Sequence, residues 1–208
     1  MRRPALTLAF VVASLCGCAG DDPVQMNPPD PIQNAAEAIQ ALTEAYRTED
    51  YQDFAALLAN DYAYFLNAPD PETGETQYDR ATELRIHQRL FDPANIPPGD
   101  PLPPSAVGLQ QVSIAMSQQS DFTERQDLYT NATPPGPLDP TRWIATEATY
   151  DASVFLQMQG ETDYQLNGRC QFIVLENRTK AIGDAGKFTI YHWVDLDGAT
   201  TTYRLPYR

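Results

Sequence analysis

"RWIATEATYDASVFLQM", residues 142–158, is the stretch on which the fold turns. Ile144, Ala148, Tyr150, Ala152, Val154, Leu156 and Met158 keep one parity, and Trp143, Glu147 and Asp151 keep the other. A period of two places the two sets on opposite sides of a strand, so this is a long strand with one apolar face and one wetted face. The next residues carry the pattern back. "QGETD" (159–163) reads as a hairpin turn, and Leu166, Gly168, Cys170, Phe172 and Val174 continue the apolar face. "GDAG" (183–186) turns the chain again into Phe188, Ile190, His192 and Val194. The alternation begins upstream, from residue 107, with Val112, Ile114 and Met116. Long antiparallel strands with one apolar face each need a cover.

The first third of the chain supplies it. Asn34 followed by Glu37 is a capping-box-like pair, and Ala35, Ala38, Ile39, Leu42, Ala45 and Tyr46 then recur at helical spacing. Asp50 caps a second, shorter helix with Phe54, Leu57 and Leu58 inward, ending near Asn60, and "YAYFL" (62–66) is a short extended run. After the turn-rich "NAPDPETGE", residues 79–91 read as a third helix with Leu84, His87 and Phe91 on one side. Pro93, Pro97 and Pro98 end it and begin a long loop. The segment 118–141, containing "TPPGPLDP", reads as a loop inserted between two strands, and its length is unusual for a structureless connection. Helices first and strands after give an α+β class with the helices on one side of the sheet.

The segments "AIQALTEAYRTEDYQDFAALLANDYAYFL" and "GKFTIYHWVDL" together resemble the NTF2-like (SnoaL-like) cone fold, over residues 34–197. The resemblance implies N-terminal helices packed on a curved antiparallel sheet that closes around a cavity. That superfamily hosts isomerases, dehydratases, hydrolases, transport adaptors and binding modules, so the fold by itself does not choose a function.

Both histidines of the chain lie on apolar faces. His87 sits between Leu84 and Phe91, and His192 between Ile190 and Val194. In a cone both would reach one cavity, with Tyr150 beside them as a hydroxyl donor and Asp61 as a carboxylate able to orient one of them. Such a set suits general acid–base work. The bland alternative is hydrogen-bonded wall histidines and an Asp that serves a turn. The expected cavity lining is Tyr46, Phe54, Tyr62, Tyr64, His87, Phe91, Tyr150, Phe172 and His192, suited to a small apolar or amphipathic ligand. A binding module is therefore the leading expectation, a dehydratase- or isomerase-type enzyme the second, and a non-catalytic interaction protein of the cell envelope the third. Tyr191, Trp193 and Asp195 alternate with the inward set, which assigns them to the convex face, where an aromatic pair suits contact with a second copy. His87, His192 and a carboxylate have no metal-ligand spacing, and no Gly-rich phosphate loop or nucleophile elbow occurs, so neither metal nor cofactor is expected.

The chain carries 28 acidic and 14 basic side chains, a net charge of −14. That balance disfavours nucleic acid, whose phosphates demand clustered Lys and Arg. Arg2 and Arg3 precede an apolar run from Ala5 to Leu15, too short to span a bilayer at the roughly 20 residues a helix needs. Leu15-Cys16-Gly17-Cys18 then resembles a bacterial lipobox. The expectation is a signal peptide over 1–17, acylation of Cys18, a flexible Pro- and Asp-rich tether over 18–32, and one domain over 33–208. Acylated Cys18 would hold the chain to the lipid bilayer of the cell envelope. In a Gram-negative cell, Ala19 rather than Asp after that Cys favours the outer membrane, facing the periplasm. Cys170 is then left unpaired, and the domain is large enough to fold without a disulfide.

Overall fold

The structure, a computed structural model, describes residues 31–70, 74–96, 109–130, 136–158 and 163–203. The expected signal peptide, Cys18, the expected tether up to residue 30, Pro97, Pro98 and residues 159–162, expected to form a hairpin turn, lie outside the described residues, as does the side chain of Leu166. Three helices, α1 (Ala35–Thr48), α2 (Tyr51–Leu57) and α3 (Arg80–Phe91), cover one face of a seven-stranded sheet. The strands are β1 (Leu58–Phe65), β2 (Gln77–Asp79), β3 (Leu109–Gln118), β4 (Thr123–Glu124), β5 (Trp143–Met158), β6 (Asp163–Asn177) and β7 (Phe188–Tyr203). Their order is β2-β1-β7-β6-β5-β3, with β4 also on β5. Every pairing is antiparallel except β1 on β7, which is parallel. The expected α+β architecture, helices on one side of a sheet of long strands, is the one observed.

Local chemistry sets the helix ends. Asn34 accepts from the Glu37 N–H at 3.0 Å, and Glu37 accepts in return from the Gln33 N–H at 2.6 Å, which satisfies donors that the first turn cannot pair internally. Asp50 and Asp79 cap α2 and α3 in the same way through the N–H groups of Asp53 and Thr82. The second helix stops at Leu57, three residues short of the expected end, and Leu58 already belongs to β1. No helix among the described residues is long and apolar enough to cross a membrane.

Between helices and sheet lies the main core. Phe54, Phe172, Ile39, Leu42, Ile190 and Val174 are each almost wholly buried there. The alternation read for β3, β5 and β6 is the alternation observed: Ile114, Ala148, Tyr150, Ala152, Val154, Cys170, Phe172 and Val174 all face the helices. On the other face the segment expected to be a loop is partly ordered against the sheet. β4 pairs with β5, a single 3-10 turn spans Gln126–Tyr129, and Leu128, Tyr129 and Leu138 cover Ala145, Ile173, Leu175 and Tyr191. This second, smaller cluster makes the outer face a covered surface over that region.

Strand β7 departs from the expected phase. Val174 pairs with Ile190, but Ile173 pairs with His192, so Tyr191 is an extra residue in the ladder. A bulge of this kind reverses the facing of the residues that follow it, here up to a second register shift at Leu196. Phe188 and Ile190 face the helices as expected, but Trp193 then joins the main core and packs on Phe172, with ring centroids 4.8 Å apart. Tyr191 and His192 both turn to the outer face, where their rings stack at 4.0 Å. The expectation of Trp193 on the convex face and His192 inside is therefore reversed. Trp193 and Tyr191 are 6% and 3% exposed, so they do not form the surface strip foreseen for a second copy.

Candidate functional site

A cavity of about 250 Å3 opens between the helices and the inner face of the sheet. Tyr46 reaches it from α1, and Glu83, Ile86, His87 and Leu90 from one side of α3. Tyr64 of β1, Val154 and Leu156 of β5 and Trp193 of β7 form the opposite wall, with Leu66, Asp70 and Tyr78 at its remaining side. Most of this wall is apolar, and the polar groups converge on one corner.

That corner is built around His87. Its Nδ1 lies 3.0 Å from the backbone oxygen of Glu83, one turn earlier in α3, and its Nε2 lies 2.5 Å from the Tyr46 hydroxyl. A carbonyl oxygen only accepts, so Nδ1 carries the hydrogen, and Nε2 accepts from Tyr46. The imidazole is stacked on Phe54, with centroids 3.8 Å apart, and is edged by Tyr46 and Phe91. Burial in this aromatic box disfavours the imidazolium and lowers the His87 pKa to about 4, against the pull of the Glu83 carbonyl. Burial acts oppositely on Glu83: first desolvation, then the charge of Asp195, raise its carboxyl to about 8. The Glu83 Oε1 stands 3.6 Å from His87 Nδ1. Near neutral pH one group is protonated and the other unprotonated, so this contact joins two uncharged groups rather than an ion pair.

Asp195 reaches the same side of the sheet because of the bulge. The Tyr64 hydroxyl donates to its Oδ2 at 2.6 Å. Burial raises the Asp195 pKa, and the bond from Tyr64 opposes that rise. The Tyr46, Tyr62 and Tyr64 phenols are all raised by burial and stay protonated. Chemically, the corner offers a neutral imidazole, phenol hydroxyls and a protonated carboxyl. It can give or accept hydrogen bonds without placing a cation in the cavity.

Of the residues expected to line the cavity, Tyr46, Tyr64 and His87 do so. Phe54, Tyr62, Phe91 and Phe172 are packed in the core behind it. Tyr150 faces the helices but contacts Phe122 and donates to Gln118 Oε1 at 3.3 Å, and it does not line the cavity. His192 lies on the outer face against Phe65, where burial and then the Arg125 charge lower its pKa to about 4. Asp61 is exposed and lines a different cavity on that outer side. The two histidines, Tyr150 and Asp61 are thus not brought together. Glu83, Asp195 and Trp193 take their place. Glu83 had a readable signal, four residues before His87 and so on the same helix face. Among the described residues no group of three His, Cys, Asp or Glu side chains is placed to hold a metal ion.

No protein-family model and no curated protein matches this sequence. Among solved structures, the chain is similar to a conserved protein from Planctomyces limnophilus, at TM-score 0.47 and 10% identity over 80% of this chain and 94% of that one. It is also similar to a Delta 5-3-ketosteroid isomerase from a Mycobacterium species, at TM-score 0.42 and 12% identity over 83% and 100% of the two chains. An NTF2-like protein from Cytophaga hutchinsonii matches at TM-score 0.38 and 10% identity, over 80% and 94%. These are similarities of chain path, and no residue of the cavity is assigned from them.

Proposed function

We propose that this chain is a lipid-anchored binding protein whose inner cavity takes a small, uncharged, largely apolar molecule bearing a hydroxyl or carbonyl group. The observation that carries this reading is the neutral polar corner at one side of an apolar cavity. With His87 held near a pKa of 4 and Glu83 near 8, neither is charged at pH 7. A charged ligand would find no counter-ion in that pair, whereas a hydroxyl or carbonyl could exchange hydrogen bonds with the Tyr46 oxygen or the Glu83 carboxyl. Ile86, Leu90, Val154 and Leu156 supply the apolar wall. The volume of about 250 Å3 lies just below the range of roughly 300–1,000 Å3 typical of drug-sized ligands, so the ligand is small.

Native mass spectrometry of the purified protein tests this reading. Wild type is expected to carry a neutral small molecule, and Leu156→Trp, which fills the void, to lose it. Equal occupancy in the two proteins would overturn the reading.

A dehydratase- or isomerase-type activity is the second reading. The observation favouring it is that Glu83 titrates near neutrality next to a hydrogen-bonded Tyr46–His87 pair, as a proton-transferring carboxyl would. Activity whose pH profile keeps its inflection near 8 in Glu83→Gln would exclude Glu83 from that role.

The anchor rests on the sequence Leu15-Cys16-Gly17-Cys18. Two or more acyl chains give the stable attachment that one does not. In a Gram-negative cell the proposed address is the outer membrane, facing the periplasm. Cys18→Ser is expected to abolish incorporation of labelled palmitate while Cys16→Ser still labels. Equal labelling of both variants would remove the anchor from the proposal.

A further inference from the structure

A larger cavity than the one between helices and sheet is present among the described residues. It measures about 450 Å3 and lies on the outer face at the junction of α2 and β1. Its walls combine aromatic and apolar surface, chiefly Trp143, Tyr191, Leu138 and Leu175, with three cationic side chains, Arg80, Arg142 and Lys180. In a chain with twice as many acids as bases, three cations around one cavity are a marked local reversal of charge.

None of the three is ion-paired to a carboxylate among the described residues. Arg80 is held by backbone carbonyls, donating to Ala55 at 3.0 Å and to Leu58 at 3.4 Å, so its guanidinium is positioned while its charge is not neutralised. Arg142 lies over the Trp143 ring at 5.0 Å, and Lys180 donates to the Ala185 carbonyl. The nearby acids are Asp61 in the cavity wall and Asp139, which senses the Arg142 charge from an exposed position. A further observation comes from inside the cavity. Thr189 lines it, and the Thr189 hydroxyl is buried beneath the wall with no hydrogen-bond partner among the described residues. A buried donor left unpaired costs free energy that a ligand oxygen would recover.

We propose that this outer-face cavity is a binding site for a small organic anion, a carboxylate on an aromatic or short aliphatic body. The anionic head meets Arg142, Lys180 and the Thr189 hydroxyl, with Arg80 behind, and the apolar body lies against Trp143 and Tyr191. A guanidinium and an ammonium binding one carboxylate form charge-assisted hydrogen bonds, the strongest polar contacts available to such a ligand. The site is separate from the inner cavity, since the sheet lies between them.

Isothermal titration of the purified full-length protein with 2-naphthoate, at low salt, tests the assignment. Saturable binding is expected, weakened about tenfold or more in Arg142→Ala/Lys180→Ala, where both replaced side chains are exposed and folding is checked by the denaturation midpoint. Thr189→Val is expected to weaken it further, and uncharged 2-naphthamide to bind far more weakly than naphthoate. Leu156→Trp, which fills the inner cavity, is expected to leave naphthoate binding unchanged. Absence of naphthoate binding, equal binding by the double variant, or equal affinity for the amide would each overturn the proposal. Loss of binding in Leu156→Trp would also overturn it, by moving the anion to the inner cavity.

Discussion

The two faces of the sheet solve opposite electrostatic problems with the same strands. On the inner face two ionisable groups are buried until their charges disappear: Glu83 is raised to about 8 and His87 lowered to about 4. On the outer face the cations Arg142 and Lys180 stay exposed and charged around a larger cavity. Burial depth explains the contrast. Under three helices an ion loses its hydration without compensation, so the neutral form prevails. On the outer face Arg142 and Lys180 are themselves exposed to water, and a charge there costs little. One sheet thus presents a pocket with a neutral corner and a pocket ringed by cations.

The contrast breaks first if stability is not concentrated on the inner side. Phe172 is fully buried there, and Phe172→Ala is expected to cost about 3–5 kcal/mol. Truncating Leu138, which is only partly buried over the outer cluster, is expected to cost about 1 kcal/mol. Chemical denaturation of the two variants measures both, and similar losses would refute the assignment of the main core. Next in size is Tyr46→Phe, which removes the donor to His87 Nε2 and leaves a buried acceptor unpaired. A loss of about 1–3 kcal/mol is expected by the same measurement, and a neutral result would show that this bond does not hold the imidazole.

The charge state of the inner corner is tested through pH. The folded pKa of Glu83 is raised above its unfolded value, so the folded state holds a proton that the unfolded chain releases between about pH 4.5 and 8. Stability relative to Glu83→Gln is therefore full below that window and falls as pH rises through it, by at most about 1.4 kcal/mol per pH unit. His87 acts in the opposite sense between about pH 4 and 6.5, where the unfolded chain takes up the proton and stability rises with pH. Denaturation midpoints for wild type and Glu83→Gln across pH 5–8 would separate the two, because His87 is common to both proteins. A difference that does not change with pH would mean that Glu83 is ionised in the cavity. The smallest effect belongs to the outer face. Arg125, paired to Asp127 and Glu147 in a partly exposed setting, should cost only about 0.2–1 kcal/mol on replacement by Ala. A loss of several kcal/mol would make that face a structural core after all.

What the sequence could reveal divides along the same line. β5 and β6 were legible because the inner set is apolar from Ala148 to Leu156 and from Gly168 to Val174, whereas the outer set is broken by Glu147, Asp151, Arg169 and Gln171. β7 was not, because Tyr191 and Trp193 are as apolar as Ile190 and Val194, so both phases looked valid and an extra residue left no local mark. That ambiguity reversed His192 and Trp193, and concealed Asp195 as an inner-face group. Glu83 was overlooked for another reason: a carboxylate on a helix ordinarily reads as solvated, and only its burial makes it part of the corner. Segment 118–141 hid its role because Leu128, Tyr129 and Leu138 are scattered among turn residues without a period.

The bulge in β7 also has a mechanical consequence. Thr189 and Tyr191 border the cationic cavity, and Trp193, two residues further on, borders the neutral one. The strand is a beam with a load point on each side and an extra residue between them. Packed interiors transmit strain rather than absorb it. A shift of Tyr191 by an occupant of the outer cavity is therefore expected to be felt at Trp193. Trp193 fluorescence, read in a Trp143→Phe background, would report an anion bound on the far side of the sheet as a change in signal from a cavity that it never enters.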